Sequence, residues 1–246
     1  MSPPRLHVGR PLVRAAGPVE LDAEAARHAQ VLRLQPGDAI TLFDGTGGEW
    51  AARVAAIGRR EVRAELVEHR AVERELAVAV TLAVGMPANE RMDALVEKAT
   101  ELGAAAIQPL VTQRSVLRVA GERAERKAAH WQAIAVAACE QCGRNRVPVV
   151  APVRAFTDWL ADDGAPPGAA RRLLDTGDAP RWAPPPRGTA ALLVLSGPEG
   201  GFADVERGAA LARGWQPVSL GACVLRADTA PLAALAAIAL QQEGSP

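Results

Sequence analysis

The chain is expected to fold as a small β-barrel followed by an α/β domain built on a parallel sheet. Three observations predict this. The first seventy residues hold short apolar runs separated by turn residues. From Leu76 onward, apolar strands alternate with amphipathic helices, the grammar of a parallel sheet covered on both faces. Two of the later strands run straight into loops whose residues suit close approach of a ligand. With 246 residues there is enough chain for two cores, placed at 1–72 and 73–246.

In the first part, strand-like runs at Ala39–Phe43, Glu49–Ile57 and Glu61–Glu68 are separated by Pro36-Gly37-Asp38 and by Asp44-Gly45 with Gly47-Gly48. A short helix is expected over Asp22–Leu32, capped at Leu21-Asp22, with His28 on the face of Val31 and Leu32. In the second part, Leu76–Val84 is a continuous apolar run, as a strand buried on both faces requires. A helix over Asn89–Leu102 puts Met92, Leu95, Val96, Ala99 and Leu102 on one face and stops at Gly103. Ala105–Leu110 reads as the next strand. A long helix over Arg123–Cys142 buries Trp131, Ile134, Ala135 and Ala138 and stops at Gly143. Further strands are expected at Arg171–Leu174, Ala190–Leu195 and Pro217–Leu220. A closing helix starts near Thr229 and carries Leu232, Leu235, Ala236 and Ala239. The Pro- and Gly-rich stretches Gly164–Gly168 and Ala183–Gly188 read as loops within this domain.

Composition narrows the classes. Apolar residues make up 49% and charged residues 23%, ordinary for a globular chain. No apolar run is long enough to span a bilayer, and Met1–Arg10 has no apolar stretch of secretory type, so a cytoplasmic protein without a membrane partner is expected. Twenty-eight basic residues balance 28 acidic ones, so net charge does not advertise a nucleic-acid partner. Locally the balance shifts: Arg114, Arg118, Arg123, Arg126, Lys127, Arg144 and Arg146 face only Glu122, Glu125 and Glu140 between residues 114 and 146. That excess suits either phosphate contacts or a solvated helix face. Cys139-x-x-Cys142 has no second pair to complete a tetrahedral metal site, and Cys223 leaves an odd thiol. Small helix residues explain the pair, and no metal is expected.

The chemistry is expected in two loops. Leu192–Leu195 runs into Ser196-Gly197-Pro198-Glu199-Gly200-Gly201-Phe202, where glycines let the backbone turn and come close to a ligand. Neither a dinucleotide fingerprint nor a P-loop is present. The second loop, Leu220-Gly221-Ala222-Cys223-Val224-Leu225-Arg226-Ala227-Asp228-Thr229, opens a helix, with Asp228 or Thr229 as its cap and Pro231 in the first turn. A capping turn does not account for Arg226, whose guanidinium suits a carboxylate, a phosphate or a developing anion.

These residues resemble a known family. Ser196–Phe202 with Glu206, and Leu220-Gly221 with Leu225-Arg226 and Asp228-Thr229-Ala230, look like the two signature loops of the RsmE family, the 16S ribosomal RNA uracil-N3 methyltransferases. Lys98–Gly103 with Gln113-Arg114-Ser115, Glu140-Gln141 with Arg144 and Val147-Pro148, His28 with Val31-Leu32-Arg33, and Gly37-Asp38 with Leu42–Gly45 follow the same family in order. Cys223 stands where the family usually has arginine, and Asp228 where it usually has glutamate.

The resemblance implies a SPOUT-type methyltransferase domain with a C-terminal trefoil knot behind a PUA-like, RNA-binding barrel, normally as a homodimer. It implies S-adenosylmethionine as cofactor, N3 of a specific uracil (U1498) in 16S ribosomal RNA as target, and the RNA or the 30S subunit as partner. Cofactor contacts carry over to Leu195, Ser196, Gly197, Glu199, Gly200, Gly201, Leu220, Gly221, Leu225 and Arg226, with Leu174 at an earlier strand end as a further contact. Methylating N3 requires its proton to leave, which puts negative charge on the ring. Arg226 is the expected stabiliser of that charge, and Asp228 and Glu199 are the candidate bases. Arg5, Arg10, His28, Arg33, Arg114, Arg144 and Arg146 are the candidate RNA contacts. Three other readings remain open from residues alone: a knotted methyltransferase acting on transfer RNA, a nucleotide-binding enzyme, and a non-catalytic RNA-binding module.

Overall fold

The structure is a computed structural model, and it describes residues 3–13, 17–59, 61–176, 178–186 and 188–242. Chain contacts divide it into two units, one of residues 1–75 with 136–147, the other of residues 76–135 with 148–246.

The first unit holds β1 (Arg5–His7), β2 (Val19–Glu20), α1 (Ala23–Val31), β3 (Ala39–Phe43), β4 (Glu49–Ile57) and β5 (Val62–Arg70). They form a five-stranded sheet in the order β1-β3-β4-β5-β2, with β1 parallel to β3 and the other pairs antiparallel. Its two end strands stay unpaired with each other, so the expected barrel takes the form of a curled open sheet. The curl has a local cause: β4 and β5 slip register at Ala51/Ala52 and Val54/Ala56, and such irregularities bend a strand and sharpen its twist. Alternation sorts the faces, with Val62 and Ala64 buried beside exposed Arg63 and Glu65. Helix α1 covers the apolar face through Ala25, Ala26 and Ala29, whose small side chains let it sit close to Leu6, Ile40, Leu42 and Val54. Asp22 starts that helix by accepting the N–H groups of Glu24 (3.1 Å) and Ala25 (2.9 Å).

The second unit holds β6 (Ala79–Gly85), α2 (Asn89–Glu101), β7 (Ala106–Val111), α3 (Gly121–Cys142), β8 (Val149–Val150), β9 (Arg154–Ala155), α4 (Phe156–Ala161), β10 (Ala170–Leu174), β11 (Ala191–Ser196), α5 (Asp204–Ala212), β12 (Gln216–Val218) and α6 (Thr229–Gln242). The last residues of α3, from Val136 on, belong to the first unit. Every pairing in this sheet is parallel, in the order β12-β10-β11-β6-β7-β8 with β9 also beside β7.

Strand β11 is apolar from Ala191 to Leu195 because helices lie on both sides of it. Leu193 and Leu195 join Phe156, Trp159, Ala210 and Trp215 in one core, while Leu192 and Val194, equally buried, alternate to the other face. Helix α6 packs against β6, β11 and α2, and α4 packs against β7 and α5. Met92, Leu95, Val96 and Ala99 of α2 are fully buried, as their spacing predicts. The strand expected from Leu76 begins instead at Ala79, with Leu76 folded against Gly103, where a β-carbon would lie 2.8 Å from its Cγ.

Among the described residues no helix is long and apolar enough to cross a membrane, and no cluster of metal-ligating side chains is present.

Candidate active site

The C-terminal ends of β10, β11 and β12 open into one cleft of about 560 Å³, within the second unit. This is where parallel α/β sheets place ligands, and the volume is that of a small-molecule site. Ser196–Phe202 after β11 forms one wall and Ser219–Ala227 after β12 the other, with Leu173–Thr176 after β10 at the back. The two loops singled out in the sequence therefore face the same space. Arg91, Arg114, Arg207 and Arg226 stand around it.

The glycine loop is held from three sides. Glu199 Oε1 accepts the Ala88 N–H at 3.1 Å and takes Arg91 Nη1 at 3.2 Å. Ala88 caps α2 but has no side chain to do so, so Glu199 supplies the anion at that helix start. Its carboxylate thus braces its own loop, which leaves it poorly suited to be a base. Arg114 Nη1 donates to the Gly200 carbonyl at 3.0 Å. Buried Glu206 accepts the N–H of Gln113 at 2.9 Å and that of Ala203 at 3.0 Å, the second bond being half of a capping box for α5. A side chain at Gly197 would bring its β-carbon to 3.1 Å from Gly201 Cα and 3.2 Å from Phe202 N, so the loop closes on itself only without one.

The second loop carries a different kind of residue. Arg226 is exposed, and no ion pair or hydrogen bond of its guanidinium is recorded among the described residues, although its carbonyl accepts the N–H groups of Thr229 (3.0 Å) and Ala230 (2.9 Å). That carbonyl closes the turn that leads into α6. Asp228 Oδ1 is buried with no hydrogen-bond partner, and the residue is not among those lining the cleft.

Three comparisons bear on this geometry. A family model described as an RNA methyltransferase domain matches residues 74–239, and one described as an RNA methyltransferase PUA domain matches residues 21–67. The chain is 37% identical to the ribosomal RNA small subunit methyltransferase E of Synechocystis, over 85% of this chain and 68% of that protein. It is 30% identical to the protein of that name from Bacillus subtilis, over 94% of this chain and 93% of the relative. The chain belongs to the ribosomal RNA small subunit methyltransferase E family. The fold agrees: a crystal structure of the Neisseria gonorrhoeae member bound to S-adenosyl methionine superposes with a TM-score of 0.90 at 35% identity, covering 96% of this chain and 97% of that one.

Within this family member, the cleft collects Leu174, Ser196, Gly197, Glu199, Gly200, Gly201, Leu220, Gly221, Leu225 and Arg226. Leu195, expected beside them, does not line it; its side chain is fully buried in the core with Phe156 and Trp159. Asp175 and Arg207 were missed in the sequence; Asp175 Oδ2 holds the Arg207 guanidinium at 2.7 Å at the cleft edge. Asp175 follows directly on Leu174, so the strand-end rule that found one could have found the other.

The expected RNA contacts divide. Arg144 is 3% exposed and pairs with Glu75, its Nε 3.0 Å from Oε1. Arg5 is spent on Glu49 (2.7 Å), Asn145 Oδ1 (2.6 Å) and the Arg144 carbonyl (3.2 Å). His28 Nδ1 faces Glu140 Oε2 at 3.1 Å. Arg5 and Arg144 thus brace the first unit from inside, which corrects their reading as phosphate contacts, while His28 stays partly exposed. Arg146, exposed, pairs with Glu73 at 3.0 Å, and Arg10 donates to the Glu20 carbonyl. Arg33 and Arg114 are exposed.

Proposed function

We propose that this enzyme transfers a methyl group from S-adenosylmethionine to N3 of uracil 1498 in 16S ribosomal RNA of the small ribosomal subunit. The observation that carries the reading is the cleft built by the two loops at the ends of β11 and β12, with Arg226, which has no ion pair among the described residues, in its wall. Its backbone-lined walls and apolar Leu174, Leu220 and Leu225 suit a nucleoside-like cofactor with a polar tail.

When bound, S-adenosylmethionine supplies an electrophilic methyl carbon on a sulfonium. Ser196–Gly201 and Leu220–Leu225 hold and orient the donor, so that the reacting atoms meet in line. Arg226 stabilises the negative charge left on the uracil when N3 loses its proton. Asp228, two residues on from Arg226 and outside the cleft lining, receives the proton through a bridging water. Glu199 keeps its place as a loop brace. Arg10, Arg33, Arg114 and Arg146 contact RNA phosphates, giving an affinity that falls with salt. The first unit, residues 1–72 in its core, is the RNA-binding module. The enzyme works as a cytoplasmic homodimer, with the segment after β11 knotted through the chain.

Transfer of tritiated methyl groups to 30S subunits and to free 16S ribosomal RNA, followed by nucleoside analysis, tests this. Labelled 3-methyluridine is expected; label in any other nucleoside, or none, overturns it.

A further inference from the structure

Helix α1 ends in a Schellman turn: the Arg33 N–H bonds to the Gln30 carbonyl at 3.0 Å and the Leu34 N–H to that of Ala29 at 3.1 Å. Arg33 fills its left-handed position with φ 55°. Among the described residues, every other position with positive φ is a glycine. A β-carbon is costly in that conformation, and glycine or asparagine ordinarily takes it. A cation near the helix C-terminus recovers less than this, and any position in the last turn supplies it without the strained backbone. The turn itself therefore does not ask for arginine.

Nothing inside the unit asks for it either. The Arg33 side chain is exposed, and no ion pair or hydrogen bond of it is recorded among the described residues. Beside it stand two large apolar side chains open to solvent, Val31 at 72% exposure and Leu32 at 43%. Gln30 Nε2 donates to the carbonyls of Gly58 (3.0 Å) and Arg59 (3.3 Å), which brings the turn after β4 against the same helix end. Arg27 and Arg59 are exposed there and, among the described residues, likewise have no carboxylate partner. The nearby acids are engaged: Asp38 accepts the Gln35 N–H at 2.8 Å, and Glu61 pairs with Arg63. The helix end thus presents two exposed aliphatic side chains and Arg33, with exposed Arg27 and Arg59 on the elements that meet there. That chemistry fits a nucleotide, with an anion on one side and an apolar ring face on the other.

We infer that Val31, Leu32 and Arg33 form a nucleotide contact, with the Arg33 guanidinium on an RNA phosphate and the two aliphatic side chains against the base or ribose of an unpaired residue. The inference rests on ribosomal RNA being the substrate, and adds where the first unit grips it. Its signature is a residue that lowers stability and raises affinity.

Full-length protein and a 16S ribosomal RNA transcript provide the test. Arg33→Gly is expected to raise Tm by about 2–4 °C, to weaken RNA binding by about three- to tenfold, and to make the salt dependence of log K shallower by roughly 0.7–0.9. Arg33→Lys keeps the salt slope. Leu32→Ser weakens binding with the slope unchanged. Wild-type affinity and slope in Arg33→Gly would overturn the contact; if wild-type enzyme still methylates 30S subunits in that case, the activity stands and this inference alone falls. Absence of RNA methylation and of RNA binding by the wild type removes both.

Discussion

The carboxylate of Glu206 holds the backbone N–H of Gln113, 93 residues earlier, at 2.9 Å, while its second oxygen holds Ala203 N at 3.0 Å. One buried side chain therefore ties the loop after β7 to the glycine loop after β11. Glu206→Ala leaves two part-buried amide donors without their acceptor, at about 1–2 kcal/mol each, so a total of about 2–4 kcal/mol is expected in urea denaturation. Cofactor affinity should fall at least about tenfold by calorimetry. Glu206→Gln keeps one acceptor and should fall between the two. Unaltered cofactor affinity in Glu206→Ala would show that the tie does not shape the cleft.

Gly85, at the end of β6, is a second hidden requirement. A β-carbon there would sit 2.5 Å from Pro198 Cδ and 2.8 Å from Pro198 N. The proline cannot rotate out of the way, so Gly85→Ala must push the glycine loop from its position. The expected outcome is a folded protein with little cofactor binding, read by circular dichroism and calorimetry together. Binding at the wild-type level would mean that the loop moves freely.

The thiols should separate cleanly. Burial pushes Cys139 up to about 12, so almost none of it is thiolate at pH 8. Cys223 is exposed in the cleft wall. Iodoacetamide at pH 8 should label Cys223 and leave Cys139 untouched, and S-adenosylmethionine should protect Cys223. Rapid labelling of Cys139, read by mass spectrometry, would instead point to a reactive Cys-x-x-Cys pair.

How far residues alone reveal such a molecule depends on the range of the forces involved. Leu192–Leu195 reads as a buried strand because burial on both faces leaves an unbroken apolar run. Met92, Leu95, Val96 and Ala99 read as one helix face because their spacing is the helical period. Two-residue strands such as Val19–Glu20 and Val149–Val150 exist only through their neighbours and show no period of their own. The same boundary runs through the site. Glycines announce the loop at Gly197–Gly201, because backbone conformation is a local matter. The need for Gly85 is set by Pro198 in the loop after β11, and nothing around it in sequence signals that. Arg5, Arg33 and Arg144 look alike in a composition; folding sends Arg5 and Arg144 onto Glu49 and Glu75 and leaves Arg33 in solvent. Leu195 misled for a related reason, since a strand that ends at a ligand loop still turns alternate side chains into the core.

The first unit should be sensitive to acid through Glu49. Burial works to raise its pKa, but Arg5, Asn145 and Arg74 together outweigh it and hold the carboxyl below its ordinary value. A lowered folded pKa contributes stability above the ordinary carboxylate range, and that stability disappears as pH falls through the lowered value. Glu49→Gln is expected to cost about 1–3 kcal/mol at pH 7 and to flatten the acid limb of a stability–pH curve. A steep acid limb surviving in Glu49→Gln would move the cause to other carboxylates, Asp44 among them.

Arg226 carries the sharpest prediction for the chemistry. Arg226 lines the cleft and its guanidinium has no ion pair among the described residues, so removing it disturbs none there. Arg226→Ala should leave Tm and RNA affinity near wild type. If the residue acts on the charged uracil, the loss falls on kcat, and removing one such preorganised charge costs about 10²–10³-fold. Arg226→Lys keeps the charge but not the planar fork, and should recover part of that loss. Raising pH increases the fraction of uracil already deprotonated, so the defect of Arg226→Ala should shrink between pH 7 and pH 9 while that of Glu206→Ala stays constant. A defect confined to KM, or one independent of pH, would make Arg226 a binding residue and leave the N3 charge to be stabilised elsewhere.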